Sequence, residues 1–393
     1  MGEGRTSLSV FADSYRVIDN SYLARALELA RLGLPTTWPN PAVGCVIVSP
    51  DERVVGEGFH LRAGTPHAEV VALAEAGTHA RGSTAYVTLE PCNHTGSTPP
   101  CSRALIEAGV RRVVIGAPDQ NPVAAGGADA LRAAGVEVEF ATDPAPFSAL
   151  NRGWLHRLAT GAPYVRVKVG SSLDGGVALA AGVRTAVTGP DGRRVTNALR
   201  AESGAVLVSD ATVAADDPSL TVTKSEGVPM PVGQPTRVVL CRDLLVIPTA
   251  RVMVDGAAPT ILLVPEPLTG AANDLAAGGA PGQVSVLPYD PAGGVVSAIR
   301  ALGAAGIGEV LIEAGPRLLA TLVAADAIDE LVTVTAGGML GVDALSAFAG
   351  PPTLADSVDP AAEPSLARPY VPISTELVDS VVATVWHRAT EER

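Results

Sequence analysis

From His67 to Cys101 the chain reads HAEVVALAEAGTHARGSTAYVTLEPCNHTGSTPPC. Its apolar residues recur at helical spacing over Ala68–Ala76 and then form a short run over Ala85–Leu89 that suits a buried strand. A second helical stretch, Ser102–Ala108, follows directly after Cys101. His67 and Glu69 therefore stand at a helix start, and Cys92 and Cys101 stand at the edges of a strand-to-helix connection. One imidazole and two thiolates suit the borderline softness of zinc. Three protein ligands leave a fourth position for water, whose pKa the metal lowers to about 7. Glu69 follows His67 by two residues, close enough to exchange a proton with that water without ligating the metal.

The joint pattern of His-x-Glu and Pro-Cys is that of zinc deaminases, in which two residues commonly separate the cysteines. Here eight do, from Asn93 to Pro100. Each piece alone has an ordinary explanation, because lone cysteines are more often buried thiols and His-x-Glu is common by chance. Cys45 and Cys241 lie in apolar strand-like runs and are expected in the core.

Working outward, Ser21–Gly33 has helical spacing and ends in glycine. Cys45–Val48 and Val113–Ile115 read as strands, Ala128–Ala134 as a helix, and Val136–Phe140 as a strand. Around Thr142–Pro163 proline and glycine interrupt the pattern, and a domain boundary is expected there, giving domains 1–160 and 161–393. A new alternation follows, with strands at Tyr164–Val169, Ala205–Ser209, Arg237–Cys241, Thr260–Val264, Glu309–Glu313 and Glu330–Thr335. Helices are expected at Asp191–Leu199, Gly294–Leu302 and Arg317–Ala324, and a surface connection near Gly270–Gly282. Strands alternating with helices predict an α/β fold with largely parallel sheets.

Composition narrows the function classes. The 393 residues are 47% hydrophobic and 18% charged, enough for more than one packed core. The net charge of -13, with no basic cluster, argues against a nucleic-acid substrate and favours a small molecule. No apolar run reaches membrane-spanning length unbroken. Four cysteines are too few for a disulfide framework, so a cytoplasmic location is expected.

Asn40-Pro41-Ala42-Val43-Gly44, His67-Ala68-Glu69 and Pro91–Cys101 with its Thr98-Pro99-Pro100 resemble the bifunctional riboflavin-biosynthesis deaminase–reductase family. Asp119-Gln120-Asn121-Pro122 is similar to that family's Asp-Pro-Asn-Pro turn. Leu150-Asn151-Arg152-Gly153-Trp154 is similar to its interdomain link. The resemblance continues through Lys168, Ser172-Leu173-Asp174-Gly175, Leu199-Arg200, Asp216–Thr221 and Ile312–Pro316, and covers about Asn20 to Asp343. It implies a cytidine-deaminase-like zinc domain followed by a dihydrofolate-reductase-like domain. The first would remove the 2-amino group of a diaminopyrimidinone ribosyl phosphate, and the second would use NADPH to reduce the ribosyl to a ribityl chain. It also implies a homodimer or higher oligomer through the reductase domain.

Site roles follow residue by residue. His67, Cys92 and Cys101 would ligate zinc, and Glu69 would be the catalytic proton carrier. Asn40 and His94 would orient the pyrimidine. Gly170, Thr212, Asp216, Gly315 and Pro316 fall at cofactor positions, and Lys168, Arg200 and Glu313 at substrate positions. The dinucleotide fingerprint Gly-x-Gly-x-x-Gly is absent. Gly315-Pro316 offers instead a glycine followed by a helix start, a favourable place for phosphate.

The chain departs from the family at several places. Ser97 and Thr223 replace cations, Ala186 replaces an aromatic residue, and Cys241-Arg242 replaces Asp-Ser. Arg184 and Arg242 are new cations near the cofactor side. Two readings follow: drift within an ordinary family member, or a related, non-phosphorylated pyrimidine in a specialised pathway with a weakened reductase domain.

Overall fold

The computed structural model describes residues 20–95, 99–347 and 370–388. These divide into two compact units, residues 20–161 with Pro229–Gly233, and the remainder from Ala162 onward.

The first unit runs α1 Ser21–Gly33, β1 Gly44–Val48, β2 Val54–Phe59, α2 Ala68–Ala76, β3 Thr84–Leu89, α3 Cys101–Glu107, β4 Arg112–Ala117, α4 Gly127–Ala133, β5 Glu137–Phe140, α5 Ala145–Leu150 and α6 Arg152–Thr160. Its five strands lie in the order β2-β1-β3-β4-β5. β3, β4 and β5 are parallel, as the alternation predicts, but β1 is antiparallel to both its neighbours. Helix α1 starts where the Asn20 side-chain oxygen accepts the Tyr22 and Leu23 amides at 2.9 and 3.2 Å. The inner strands β1, β3 and β4 are buried on both faces. Val46 and Val48 join α1, Phe147 and Trp154 in one core layer, while Cys45 and Ile47 join α2, Leu105 and Leu131 in the other.

β2 is a strand that the sequence pattern misses, because Gly56 and Gly58 weaken the apolar signal. The helix above explains both glycines. A Cβ on Gly56 would stand 2.2 Å from the Ala72 carbonyl oxygen, and one on Gly58 2.4 Å from that of Ala68. The bare backbone lets α2, with His67 and Glu69 at its start, lie directly on the sheet.

The second unit runs β6 Tyr164–Ser172, β7 Gly176–Ala178, α7 Gly189–Ala201, β8 Ala205–Ser209, α8 Asp210–Asp216, β9 Thr236–Leu240, α9 Arg251–Val254, β10 Thr260–Pro265, α10 Thr269–Ala277, β11 Val284–Tyr289, α11 Gly294–Ala304, β12 Glu309–Glu313, α12 Pro316–Ala324, β13 Glu330–Ala336, β14 Leu345–Ser346, β15 Tyr370–Val378 and β16 Val381–Arg388. The large sheet has the order β11-β10-β9-β8-β12-β6-β13-β16-β15. Its first seven strands are parallel, and the β15–β16 hairpin closes one side antiparallel. Val206 and Val208 enter one core layer and Ala205 and Leu207 the opposite one.

One expectation is corrected here. The segment near Gly270–Gly282 is not a plain connection, because it contains most of α10. The only buried residue of that helix is Ala272, so its apolar stripe is too thin to read. Among the described residues, no helix is long and apolar enough to cross a membrane.

Candidate functional site

In the first unit, His67 is the N-cap residue of α2, with extended backbone, and Glu69 lies in that helix's first turn. Cys92 follows the end of β3, and Cys101 is the first residue of α3. The His67 Nδ1 atom stands 3.6 Å from Cys92 Sγ and 3.3 Å from Cys101 Sγ. The three ligand atoms all lie within 4.8 Å of one another. Cys92 Sγ also accepts the Cys101 amide at 3.4 Å.

Charge at the centre fits a cation. Hydrogen bonding from Cys101 and His67 pulls the Cys92 thiol down to about 4, while the same sharing and burial push Cys101 up. The lowered Cys92 thiol offers a thiolate beside the His67 imidazole, a donor set suited to zinc. The hydrogen bond to Cys92 raises His67, and burial raises the Glu69 carboxyl. Glu69 is 3% exposed, and that burial favours its protonated form, as suits a proton shuttle.

Around this centre the structure adds residues that the motif reading leaves out. His60 is buried, and its ring packs edge-on against His67 at 5.3 Å between centroids. Its Nε2 lies 3.2 Å from Asn40 Nδ2. Asp119 sits close enough to Cys92 and His94 to feel both charges, and burial pushes its carboxyl up to about 6. Glu90 holds the loop beyond it, accepting the Asp119, Gly126 and Ala128 amides at 3.0–3.2 Å. The His94 Nδ1 atom is buried and has no partner among the described residues. Asp119 carries a signal in its Asp-x-Asn-Pro turn, but His60 and Glu90 carry none that spacing alone reveals.

In the second unit, the expected residues gather at the carboxyl ends of adjacent parallel strands, where open α/β sheets bind ligands. Lys168 on β6 and Glu313 on β12 are direct partners in the strand register. Arg200, from α7, grips Glu313 with two bonds of 2.6 and 2.9 Å and donates to the Thr221 carbonyl at 3.1 Å. Burial lowers the Lys168 ammonium, while Arg200 holds Glu313 ionised against its own burial. Asp216 is raised by burial and feels both Arg184 and Glu313. Gly170 lies beside the lysine, and a Cβ there would stand 2.9 Å from Lys168 Nζ.

Gly315 is the N-cap of α12 and Pro316 its first residue. A Cβ at Gly315 would meet only Thr212 Oγ1, at 4.0 Å, leaving an open backbone approach. Thr212 Oγ1 lies 3.2 Å from Ser209 Oγ at the start of α8. The Gly315 backbone, the Thr212 hydroxyl and the α12 N-terminus are donors suited to the diphosphate of a nicotinamide cofactor.

The departures are placed as follows. Ser97 lies outside the described residues. Thr223 is exposed, with its backbone held by Asn197 on α7 and the exposed Lys224 beside it. Ala186 is exposed. Cys241 and Cys45 are fully buried core thiols. Arg242 is exposed, and its amide and that of Asp243 are bound by Asp210 Oδ2 at 2.7 and 2.8 Å.

Residues 17–117 match the model of the cytidine and deoxycytidylate deaminase zinc-binding region, and residues 163–362 that of the RibD C-terminal domain. The riboflavin biosynthesis protein RibD of Escherichia coli (strain K12) is 43% identical over 353 residues, 86% of this chain and 94% of the relative. RibD of Mycobacterium tuberculosis (strain H37Rv) is 38% identical over 325 residues, 82% and 84% of the two chains. Among solved structures, form 1 of Acinetobacter baumannii RibD matches with a TM-score of 0.77 at 37% identity, covering 94% of this chain and 98% of that one. A deaminase/reductase from Thermotoga maritima matches with a TM-score of 0.75 at 30% identity and the same coverage.

Proposed function

Because the chain belongs to the RibD family of riboflavin-biosynthesis proteins, we propose that it carries out two successive reactions on one pyrimidine. Residues 1–160 deaminate 2,5-diamino-6-(5-phosphoribosylamino)pyrimidin-4-one, and residues 161–393 reduce the ribosyl group of the product to a ribityl chain. The observation that carries this reading is the convergence of His67 Nδ1 and two cysteine sulfurs beside the buried Glu69.

In the first reaction water replaces the exocyclic 2-amine and ammonia leaves. Zinc, when held by His67, Cys92 and Cys101, supplies an acidified water. Glu69 would carry one proton of the water to the ring nitrogen and then the second, from the hydroxyl added to the ring carbon, to the amine, whose bond to that carbon breaks as ammonia leaves. Its burial raises its affinity for the proton it carries. Asn40 and His94 orient the ring.

In the second reaction the bond between the sugar C1′ and its ring oxygen opens; a nicotinamide cofactor, when bound, would supply hydride to C1′, and a proton from solvent completes the hydroxyl. Lys168, Arg200 and Glu313 bind the ribosyl group. Gly315, Pro316 and Thr212 hold the cofactor's phosphates, with Gly170 and Asp216 beside them. NADPH is the cofactor of choice in this reading because Arg242 presents an exposed guanidinium at the carboxyl end of β9. Among the described residues that guanidinium makes no ion pair, and an arginine so placed suits a 2′-phosphate. Arg242→Ser is expected to weaken NADPH binding about tenfold, equal to about 1.4 kcal/mol, and to leave NADH binding unchanged. Calorimetric titration of both cofactors checks this.

The unpaired cysteines fit a cytoplasmic enzyme. Edge strand β15 exposes Val371, Ile373 and Leu377 and supports self-association through the second unit, which light scattering tests. For the two-reaction reading, a zinc chelator such as 1,10-phenanthroline is expected to stop deamination and to spare reduction of separately supplied deaminated substrate. Deamination that survives complete zinc removal would refute the assignment.

A further inference from the structure

Between α8 and β9 the chain passes through Thr221, Val222 and Thr223 without joining a sheet. Among the described residues no backbone group bonds these three. Side chains do so instead. The Gln234 Oε1 atom accepts the Val222 amide at 2.7 Å, and its Nε2 donates to the Val222 carbonyl at 3.1 Å. The Asn197 Oδ1 atom accepts the Thr223 amide at 2.8 Å, and its Nδ2 donates to the Thr223 carbonyl and to Ser225 Oγ. Each side-chain amide thus binds both polar groups of one residue, as the neighbours of a strand do. Val222 is 3% exposed and packs on Ala198, Ala201 and Val228. Buried backbone groups left unpaired are costly, so these two side chains set the conformation of the segment.

The first of the three residues meets the charged group of the second unit. The Thr221 carbonyl accepts a bond from Arg200 Nη1 at 3.1 Å, while Nε and Nη2 of the same guanidinium grip Glu313 at 2.6 and 2.9 Å. The fork fixes the two side chains to each other but leaves them free to swing together. The Thr221 carbonyl ties the third nitrogen to a separate piece of backbone and removes that freedom. Asn197 stands three residues before Arg200 on α7, so both reach the segment from one face of the helix. Gln234 reaches it from 12 residues beyond Val222, just before β9.

We propose that Asn197 and Gln234 are positioning residues for the reduction. By fixing Thr221–Thr223 they place the Thr221 carbonyl against Arg200 and hold the Arg200–Glu313 pair preset for the ribosyl group. The inference rests on the reading of Arg200 and Glu313 as ribosyl-binding residues. Neither Asn197 nor Gln234 needs to touch the substrate. A pair that is already ordered loses less freedom when the substrate docks, so the effect falls on affinity and not on the chemical step. A pair that each incoming substrate must order binds it more weakly and turns it over about as fast.

The test uses the zinc-loaded full chain with separately supplied deaminated substrate and NADPH. Asn197→Leu and Gln234→Met keep the size of each side chain and remove its hydrogen bonds. Each is expected to raise KM for the pyrimidine about five- to tenfold, to change kcat by less than about threefold, and to leave the NADPH Kd and the deamination rate unaltered. A residue that only supported the fold would lower the active fraction, hence kcat, without moving KM. Arg200→Lys supplies the second readout, because a lysine cannot hold Glu313 and the Thr221 carbonyl in one fork. Since Asn197 acts through Arg200, adding Asn197→Leu to Arg200→Lys is expected to raise KM by less than about a further twofold. Should Asn197→Leu fail to fold, Gln234→Met, alone and in that background, decides the matter. An unchanged KM in the single variants, or the full increase repeated in the Arg200→Lys background, overturns the inference, and the ribosyl-binding reading stands where Arg200→Lys itself raises KM. An unchanged KM in Arg200→Lys sinks that reading, and the inference with it.

Discussion

Glu69 shows how a single carboxylate is given its task. It is buried beside two thiols and an imidazole, and burial raises its proton affinity. Glu69→Gln keeps the shape and removes the proton transfer. Deamination is expected to fall by about a hundredfold to ten-thousandfold, with zinc still bound at one per chain by metal analysis. Zinc loss in that variant would make Glu69 a ligand and contradict the role given to it. In the second unit, Arg200 grips Glu313 through two parallel bonds. A lysine cannot reproduce that fork. Arg200→Lys is expected to cost about tenfold in kcat/KM for reduction and to leave cofactor affinity unchanged, as steady-state kinetics and calorimetry would show. The convergence of His67, Cys92 and Cys101 is legible in sequence because metal chemistry imposes residue types at recognisable spacings. His60 and Glu90 escape such a reading. Each acts through partners elsewhere in the sequence, and a lone histidine or glutamate carries no spacing to betray it.

Helix α2 reaches its place because β2 has no side chains beneath it. A Cβ at Gly58 would stand 2.6 Å from the Ala72 amide nitrogen as well as 2.4 Å from the Ala68 oxygen. Both are backbone atoms, so the helix must move. Gly58→Ala is expected to destabilise the first unit by about 1–3 kcal/mol. It should also lower zinc retention on gel filtration, since His67 travels with the helix. A second loop is set by Asp174. Its carboxylate accepts the Leu340 and Gly341 amides at 3.1 and 2.8 Å and the Ser172 hydroxyl, which together hold it down to about 2, against an ordinary 3.8. A depressed acid stabilises the fold above its unfolded value and loses that contribution as the pH falls through the folded one. The stability gap between wild type and Asp174→Asn should therefore be full at neutral pH and shrink as the pH falls from about 4 to about 2. Denaturant melts at several pH values would reveal a constant gap if the carboxylate did nothing. Among elements, those with strong apolar runs are legible, and α1 matches residue for residue. β2 hides behind its glycines, and α10 behind a single buried alanine. β15 and β16 hide because their exposed apolar residues blur the alternation that marks a half-buried strand.

Taken whole, the chain joins two α/β units whose sites use different physics. The first brings one imidazole, two thiols and one buried acid together, a set suited to a cation. The second lines up charged side chains and open backbone along the carboxyl ends of a parallel sheet. The α/β character of both units is legible from the alternation of strands and helices, whereas the mixed direction of β1 depends on tertiary pairing. The phosphate of the substrate is the point at which residue types alone decide least, because Ser97 and Thr223 stand where cations are usual. Comparing turnover of the phosphorylated and dephosphorylated pyrimidine settles this, and the phosphorylated form is expected to be preferred. The two-reaction function itself is tested by mass spectrometry of the diaminopyrimidinone ribosyl phosphate after incubation with the zinc-loaded chain, with and without NADPH. A gain of one mass unit without the cofactor, and a further gain of two with it, is the expected result. No change with zinc bound, or a first gain that NADPH never extends, would contradict it.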